Sequence, residues 1–309
     1  MNPDSTLRRT ALLLTAFGGP HTLDDVPPFL TELLGRRPSD RQVRDLAARY
    51  ESIGGGSPLP AMTMRQAAAL RELLAGEGYP VAVYVGMGHG RPSIAQAVTQ
   101  MAHDGMARVV MCSLSPYRSP YTSEGYYRET RRLCGHTCIQ QVVEIDPWYA
   151  HPSLWAAWAE HLGKIDDREE IWSGTTPVVF TAHSLPLSIA TSCGYVDQLR
   201  VTIEGIMTLV PPLAWHLAFQ SRGRGHEPWL TPAPETVLEQ LRGRGHENVV
   251  VVPLGFVADH LETLYDLDIS LRTWAQSRGQ TITRVPCFND HTYFVRALAD
   301  VVREKLRDL

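Results

Sequence analysis

A chain of 309 residues that is 44% hydrophobic carries enough apolar side chain for a large core, in two domains of ordinary size or one large one. A formal net charge of -4 excludes the basic footprint of a nucleic-acid binder. The five scattered cysteines (Cys112, Cys134, Cys138, Cys193 and Cys287) argue against a disulfide scaffold and for a reducing compartment.

In chain order, the first apolar run follows Arg8-Arg9 and spans Ala11 to Phe17. It superficially resembles a signal peptide, but it is short, lacks a small-x-small cleavage site and ends in Gly18-Gly19-Pro20, as a buried first strand would. Short β-branched runs then alternate with longer stretches of helical period, the pattern of parallel βαβ units. Strands are expected at 10–17, 81–86, 108–114 and 140–145, then at 177–182, 215–219, 248–254 and 281–286. Helices are expected at 41–51, 61–77, 93–104, 121–133, 152–163, 197–210, 232–242, 257–276 and 290–307. Four strands and then four more describe an α/β chain of two doubly wound halves, each with a four-stranded parallel sheet. The polar stretch from Lys164 to Thr176 reads as the join, giving domains of 1–170 and 175–289, with the closing segment 290–309 free to cross back to the first. No run approaches the roughly 18 to 20 apolar residues of a membrane span, so a cytoplasmic protein is expected.

Two minor patterns carry little. Cys134 and Cys138 flank His136 in a C-x3-C pair, but a zinc or iron–sulfur site needs two further ligands and no second pair is evident. Arg-Gly-Arg-Gly-His-Glu occurs at 222–227 and again at 242–247, and two short copies do not make a repeat architecture.

The ionisable residues at strand ends carry more. His183 closes the apolar run 177–182, and the run 248–254 leads into Asp259, His260 and Glu262. Open α/β sheets bind ligands beyond the carboxyl ends of their strands, so both groups are expected at one cleft. Glu262 and Asp266 are four apart and share one face of the helix expected from Val257, with Asp259 extending the row. Like charges at this spacing mildly destabilise a helix, which makes sense if a cation or proton passes along them. On spacing alone, a histidine at a strand end is more often structural, and an acidic row is more often a solvated face.

Four segments in order change that balance: Thr15-Ala16-Phe17-Gly18-Gly19-Pro20, the glycine-rich run from Tyr50 to Leu59, Ala182-His183-Ser184-Leu185-Pro186, and the acidic run from Phe256 to Tyr265. In them the chain resembles the ferrochelatases, which insert Fe²⁺ into a porphyrin late in haem synthesis. The resemblance implies two Rossmann-like domains around a porphyrin cleft. It implies His183 and Glu262 as the catalytic pair on opposite walls, with His183, Glu262 and Asp266 handling the metal. A neutral imidazole accepts a proton or binds a metal, a carboxylate holds the ion or relays the proton, and Fe²⁺ suits mixed nitrogen and oxygen ligands. Phe17, Arg36, Ser57, His89 and Tyr126 are implied as porphyrin-binding residues, while Trp229 matches a family position that core packing explains equally well. The family's acidic ladder continues outward, but here its next rung is Ser270. No resident cofactor is expected, a [2Fe–2S] cluster included; Fe²⁺ and a porphyrin are the expected substrates.

Protoporphyrin IX carries two propionates and coproporphyrin III four. In coproporphyrin-using relatives, arginines precede the Gly-Arg of the lip and a tyrosine stands in the first-strand motif. Here Leu33, Leu34 and Phe17 occupy those places, although Arg36 and Arg37 remain to hold propionates. The favoured expectation is protoporphyrin IX, collected at a membrane surface through the apolar lip at 26–37, with coproporphyrin III a close second. The rival readings are a cobalt or nickel chelatase for another tetrapyrrole, and a porphyrin or haem carrier without turnover.

Overall fold

Both expected sheets are present in the computed structural model, which describes residue 7 and residues 9–164, 174–223 and 227–309. Most of the join at 164–176 and the middle of the 222–227 repeat lie outside the described residues. The strands are β1 (Thr10–Gly19), β2 (Ala82–Gly90), β3 (Arg108–Ser113), β4 (Gln141–Glu144), β5 (Val178–His183), β6 (Trp215–Gln220), β7 (Asn248–Val252) and β8 (Thr281–Arg284). They order as β2-β1-β3-β4 and β6-β5-β7-β8, with every pairing parallel. Parallel sheets are covered on both faces, which is why Ala11–Leu14 and Val249–Val252 are unbroken apolar runs and wholly buried. Alternate residues serve opposite faces: Leu12 and Leu14 join one core cluster, Ala11 and Leu13 another.

In each sheet the strand order reverses beside the first strand of its half, so a crevice opens beyond the end of β1 and another beyond the end of β5. The surrounding helices are α1 (Val26–Leu34), α2 (Asp40–Ser52), α3 (Leu59–Gly76), α4 (Ile94–His103), α5 (Ser123–Cys134), α6 (Pro152–Leu162), α7 (Leu187–Ser192), α8 (Tyr195–Met207), α9 (Pro234–Gly243), α10 (Leu261–Leu264), α11 (Arg272–Gln276) and α12 (Thr292–Arg307). α12 packs against the first half. Arg303 pairs with Glu77 at 2.5 Å, Arg307 Nε donates to the Tyr79 hydroxyl at 3.1 Å, and Ser153 Oγ donates to Asp300 at 2.6 Å. One core cluster runs through both halves, from Leu12 and Trp148 to Phe180 and Phe294.

Two helices and one break depart from expectation. α1 begins with Pro27-Pro28, which suit a first turn but read as a helix breaker in sequence. α7 is only six residues long, too short to show a period. The helix expected over 257–276 begins instead at Leu261 and is interrupted by a π-helical segment, Asp266–Leu271, before α11.

Leu298 of α12 is fully buried in the shared cluster. Leu298→Ala is expected to lower unfolding stability by about 2–5 kcal/mol, read by urea denaturation; a loss under about 1 kcal/mol would mean that α12 is not part of the core.

Candidate active site

β5 crosses the core on Val178–Ala182 and surfaces at His183. Gln220, at the end of β6, lies opposite His183 in register. After β7 the chain passes close over the end of β5, where the Gly255 amide donates to the Thr181 carbonyl at 3.0 Å. Only glycine allows that approach, since a Cβ at Gly255 would stand 2.8 Å from Cα of Ala182. The chain then turns into α10 at His260, whose amide donates to the Thr263 hydroxyl at 3.0 Å. This places Glu262 in the first turn of α10, beside His183.

His183 Nδ1 and Glu262 Oε2 are 2.9 Å apart, with both side chains about one-third exposed. The pair therefore forms one unit on the second half of the molecule, which corrects the expectation of opposite walls. With Nδ1 engaged, Nε2 is the ring nitrogen left to meet a substrate. His260 Nε2 lies 3.9 Å from the same carboxylate oxygen, and Gln220 Nε2 donates to the Glu262 carbonyl at 2.7 Å. Burial works against the His183 imidazolium, but the charge and hydrogen bond of Glu262 outweigh it and raise the His183 pKa above its ordinary 6.5. Burial also works against the Glu262 carboxylate, yet His183 and then His260 hold its pKa well below the usual carboxylate range.

Asp266 opens the π-helical segment, in which the Ser270 amide reaches back five residues to the Tyr265 carbonyl at 2.8 Å. The Ser221 hydroxyl donates to Asp266 at 2.5 Å from a residue in the left-handed region, φ 58°. From α2 of the first half, Arg49 reaches across to Asp266 at 3.8 Å and lies over the Tyr265 ring at 5.1 Å. Burial raises the Asp266 pKa; Ser221 opposes, the charge of Glu262 adds to the rise, and Arg49 partly offsets it. Asp259 does not extend the row. Its carboxylate takes hydrogen bonds from Arg284 at 2.9 Å, Asn289 at 2.8 Å and Thr263 at 3.1 Å. Asp268, the next acid, is likewise held by Arg284 at 2.7 Å.

Across the molecule, near the end of β1, Phe17 is partly exposed and meets the edge of His89, ring centroids 5.0 Å apart. Phe29 of α1 stands 6.5 Å from His89 on one side and 6.5 Å from Tyr50 on the other. The charge of Glu262 adds to the rise that burial causes in the Tyr50 pKa, so this aromatic row ends near the second half. Ser57 is buried, and its amide donates to the Pro20 carbonyl at 2.8 Å. Tyr126 stands further back. It is buried in the core cluster behind β2, where Gly88 leaves room for its ring and a Cβ would collide with it. Arg36 lies exposed after α1, its guanidinium donating to the Arg37 carbonyl. Trp229 packs over Gly223 and bridges to Pro186. Cys134 is buried and Cys138 exposed, and neither approaches this constellation in any contact among the described residues. A cavity of about 490 Å³ opens between α1 and the end of β2. A larger one, about 640 Å³, lies on the outer edge of β2 between α3 and α4, away from His183.

Sequence reasoning misses Arg49, Gln220, Ser221 and the approach of His260 to Glu262. His260 stands inside the acidic motif and is open to notice there; the others act through contacts that only the fold creates.

The ferrochelatase family model matches residues 9–306. A ferrochelatase of Thermus thermophilus is 36% identical over 316 residues, covering 94% of this chain and 98% of its own. A coproporphyrin III ferrochelatase of Anoxybacillus flavithermus is 34% identical over 305 residues, covering 96% of each. Among solved structures, SirB from Bacillus subtilis with Fe³⁺ superposes with a TM-score of 0.59 at 13% identity, covering 97% of this chain and 96% of that one. CbiX, described as the terminal enzyme of sirohaem biosynthesis in denitrifying bacteria, gives 0.57 at 13% identity, covering 96% of this chain and 99% of that one. These two likenesses concern the fold alone.

If Glu262 is what lifts His183, Glu262→Gln should drop the His183 pKa from its raised value, since burial then acts with less opposition. A ¹³C-detected histidine titration reads this directly, and an unmoved His183 would contradict the pairing.

Proposed function

The chain belongs to the ferrochelatase family, and on that footing we propose that it inserts Fe²⁺ into protoporphyrin IX, using His183 and Glu262 as a single proton-handling unit. The observation that carries this reading is the 2.9 Å pair at the crevice of the second sheet. Metallation must remove two pyrrole protons from the macrocycle. Glu262, held ionised, keeps the imidazole oriented through Nδ1 and makes Nε2 a stronger base than a free histidine. Nε2 takes the two pyrrole protons in turn, the first being passed outward before the second is accepted, and Glu262 stabilises the imidazolium formed each time. The two nearby carboxylates have their pKa values pushed in opposite directions, Glu262 down and Asp266 up. Asp266 is then the group that picks up a proton passed outward, with Ser221 and Arg49 around it. Fe²⁺ is a substrate here, suited to the nitrogen and oxygen donors of His183 and Glu262.

The choice of protoporphyrin rests on the exposed apolar groups at the mouth. Phe17, Leu33 and Leu34 are each more than one-third exposed. We read them as an apolar lip resting on a membrane surface from which a greasy porphyrin is drawn. No helix among the described residues is long and apolar enough to cross a membrane. Coproporphyrin III is the second reading, favoured by the exposed Arg36 and Arg37 and by the Anoxybacillus flavithermus relative named for that substrate.

With purified protein, anaerobic Fe²⁺ and protoporphyrin IX, His183→Ala is expected to slow insertion about 10²–10⁴-fold without changing Tm by more than a few degrees. Near-normal turnover would refute the assignment. Because a neutral His183 is needed to accept a proton, Glu262→Gln should also move the acid limb of the kcat/KM profile to lower pH. An acid limb that stays put would separate Glu262 from the base.

A further inference from the structure

Glu32 lies on the last turns of α1 and reaches across to the end of β2. Its Oε1 is 3.4 Å from His89 Nδ1, and its Oε2 accepts from the Gly90 amide at 3.4 Å. The Glu32 side chain is half exposed. The His89 ring it approaches is the one flanked by Phe17 and Phe29. Glu32 also lines the 490 Å³ cavity between α1 and the end of β2, together with Phe29, Gly19, Gly90, Asp25 and Arg91. Asp25 Oδ2 accepts the amide and hydroxyl of Thr22, so the α1 side of this cavity is acidic, while Arg91 supplies positive charge on the β2 side.

A half-exposed carboxylate 3.4 Å from an imidazole adds little to folding, so fold stability is a weak reason for an acid in this place. Its charge has a larger consequence for a ligand. A carboxylate beside the mouth repels an anionic substituent entering along α1 and leaves an uncharged one unaffected.

We propose that Glu32 is a specificity-determining residue, holding a negative charge against His89 at the cleft mouth so that a porphyrin edge bearing a propionate is disfavoured beside α1. This rests on the reading of the cleft as a porphyrin site. It deepens that reading by giving the choice of porphyrin a repulsive element as well as an apolar one.

The test is equilibrium binding of metal-free protoporphyrin IX and coproporphyrin III to the full chain, read by quenching of porphyrin fluorescence at low and high salt. Glu32→Gln is expected to tighten coproporphyrin III about three- to tenfold and to leave protoporphyrin IX within about twofold. Glu32→Asp, which keeps the charge, should keep most of the wild-type preference. That preference should shrink in high salt for the wild type but not for Glu32→Gln. Equal changes for both porphyrins, or equal effects of Gln and Asp, would show a merely structural role and overturn the proposal. Because no iron is present, the binding result is independent of the insertion assay: failure to metallate would count against the reaction, not against Glu32.

Discussion

The rest of the site depends on one contact, a carboxylate and an imidazole held 2.9 Å apart where water is only partly admitted. Neither charge is comfortable there alone, because burial disfavours both ionised forms. Together they hold a proton between them, the property that the proposed base needs. The same coupling links the pair to folding. Its stabilisation is complete between the ordinary values of 4.5 for Glu262 and 6.5 for His183. It is lost on the acid side as Glu262 protonates, and on the alkaline side as pH rises through the raised value of His183.

Much of the surrounding architecture exists to hold that contact. The strand order places β7 beside β5, so the chain leaving β7 arrives next to the end of β5. Gly255 lets it pass at backbone distance, and Gln220 at the end of β6 fastens the Glu262 carbonyl. The π-helical segment then sets Asp266 against Ser221 and Arg49, while Asp259 and Asp268 are tied up by Arg284. The acidic row is therefore short: Asp259 and Asp268 are held in structural contacts, which leaves Glu262 and Asp266 as the acids proposed for proton traffic. The first half contributes the other side of the arrangement, a row of aromatic groups from Phe17 to Tyr50, with Arg49 as its direct link to Asp266.

The eight strands are legible in the sequence because a parallel strand covered on both faces is a continuous apolar run, and their number divides the chain correctly into two sheets. The helix expected over 257–276 differs because apolar period does not reveal a π-helical segment or a turn capped by His260 and Thr263. α1 is hidden by Pro27-Pro28. His183 and Glu262 can be picked out individually, since each follows an apolar run, but 79 residues of separation say nothing about which wall they share. Only the β5–β7 adjacency decides that. The resemblance implies Tyr126 as a pocket residue, but its helix turns that face inward onto Gly88. Glu32, Arg49 and Ser221 are ordinary surface residue types in sequence, and their meaning lies in partners brought by the fold.

The most direct test of the pair is a double-mutant cycle on the single-turnover rate of Fe²⁺ insertion, comparing His183→Ala, Glu262→Gln and the two combined. Residues acting as one unit lose most of their joint effect with the first substitution. The expected result is therefore a double variant no slower than the slower single variant. Losses that multiply would mean that His183 and Glu262 act independently, and would contradict the pair as the working element of the site.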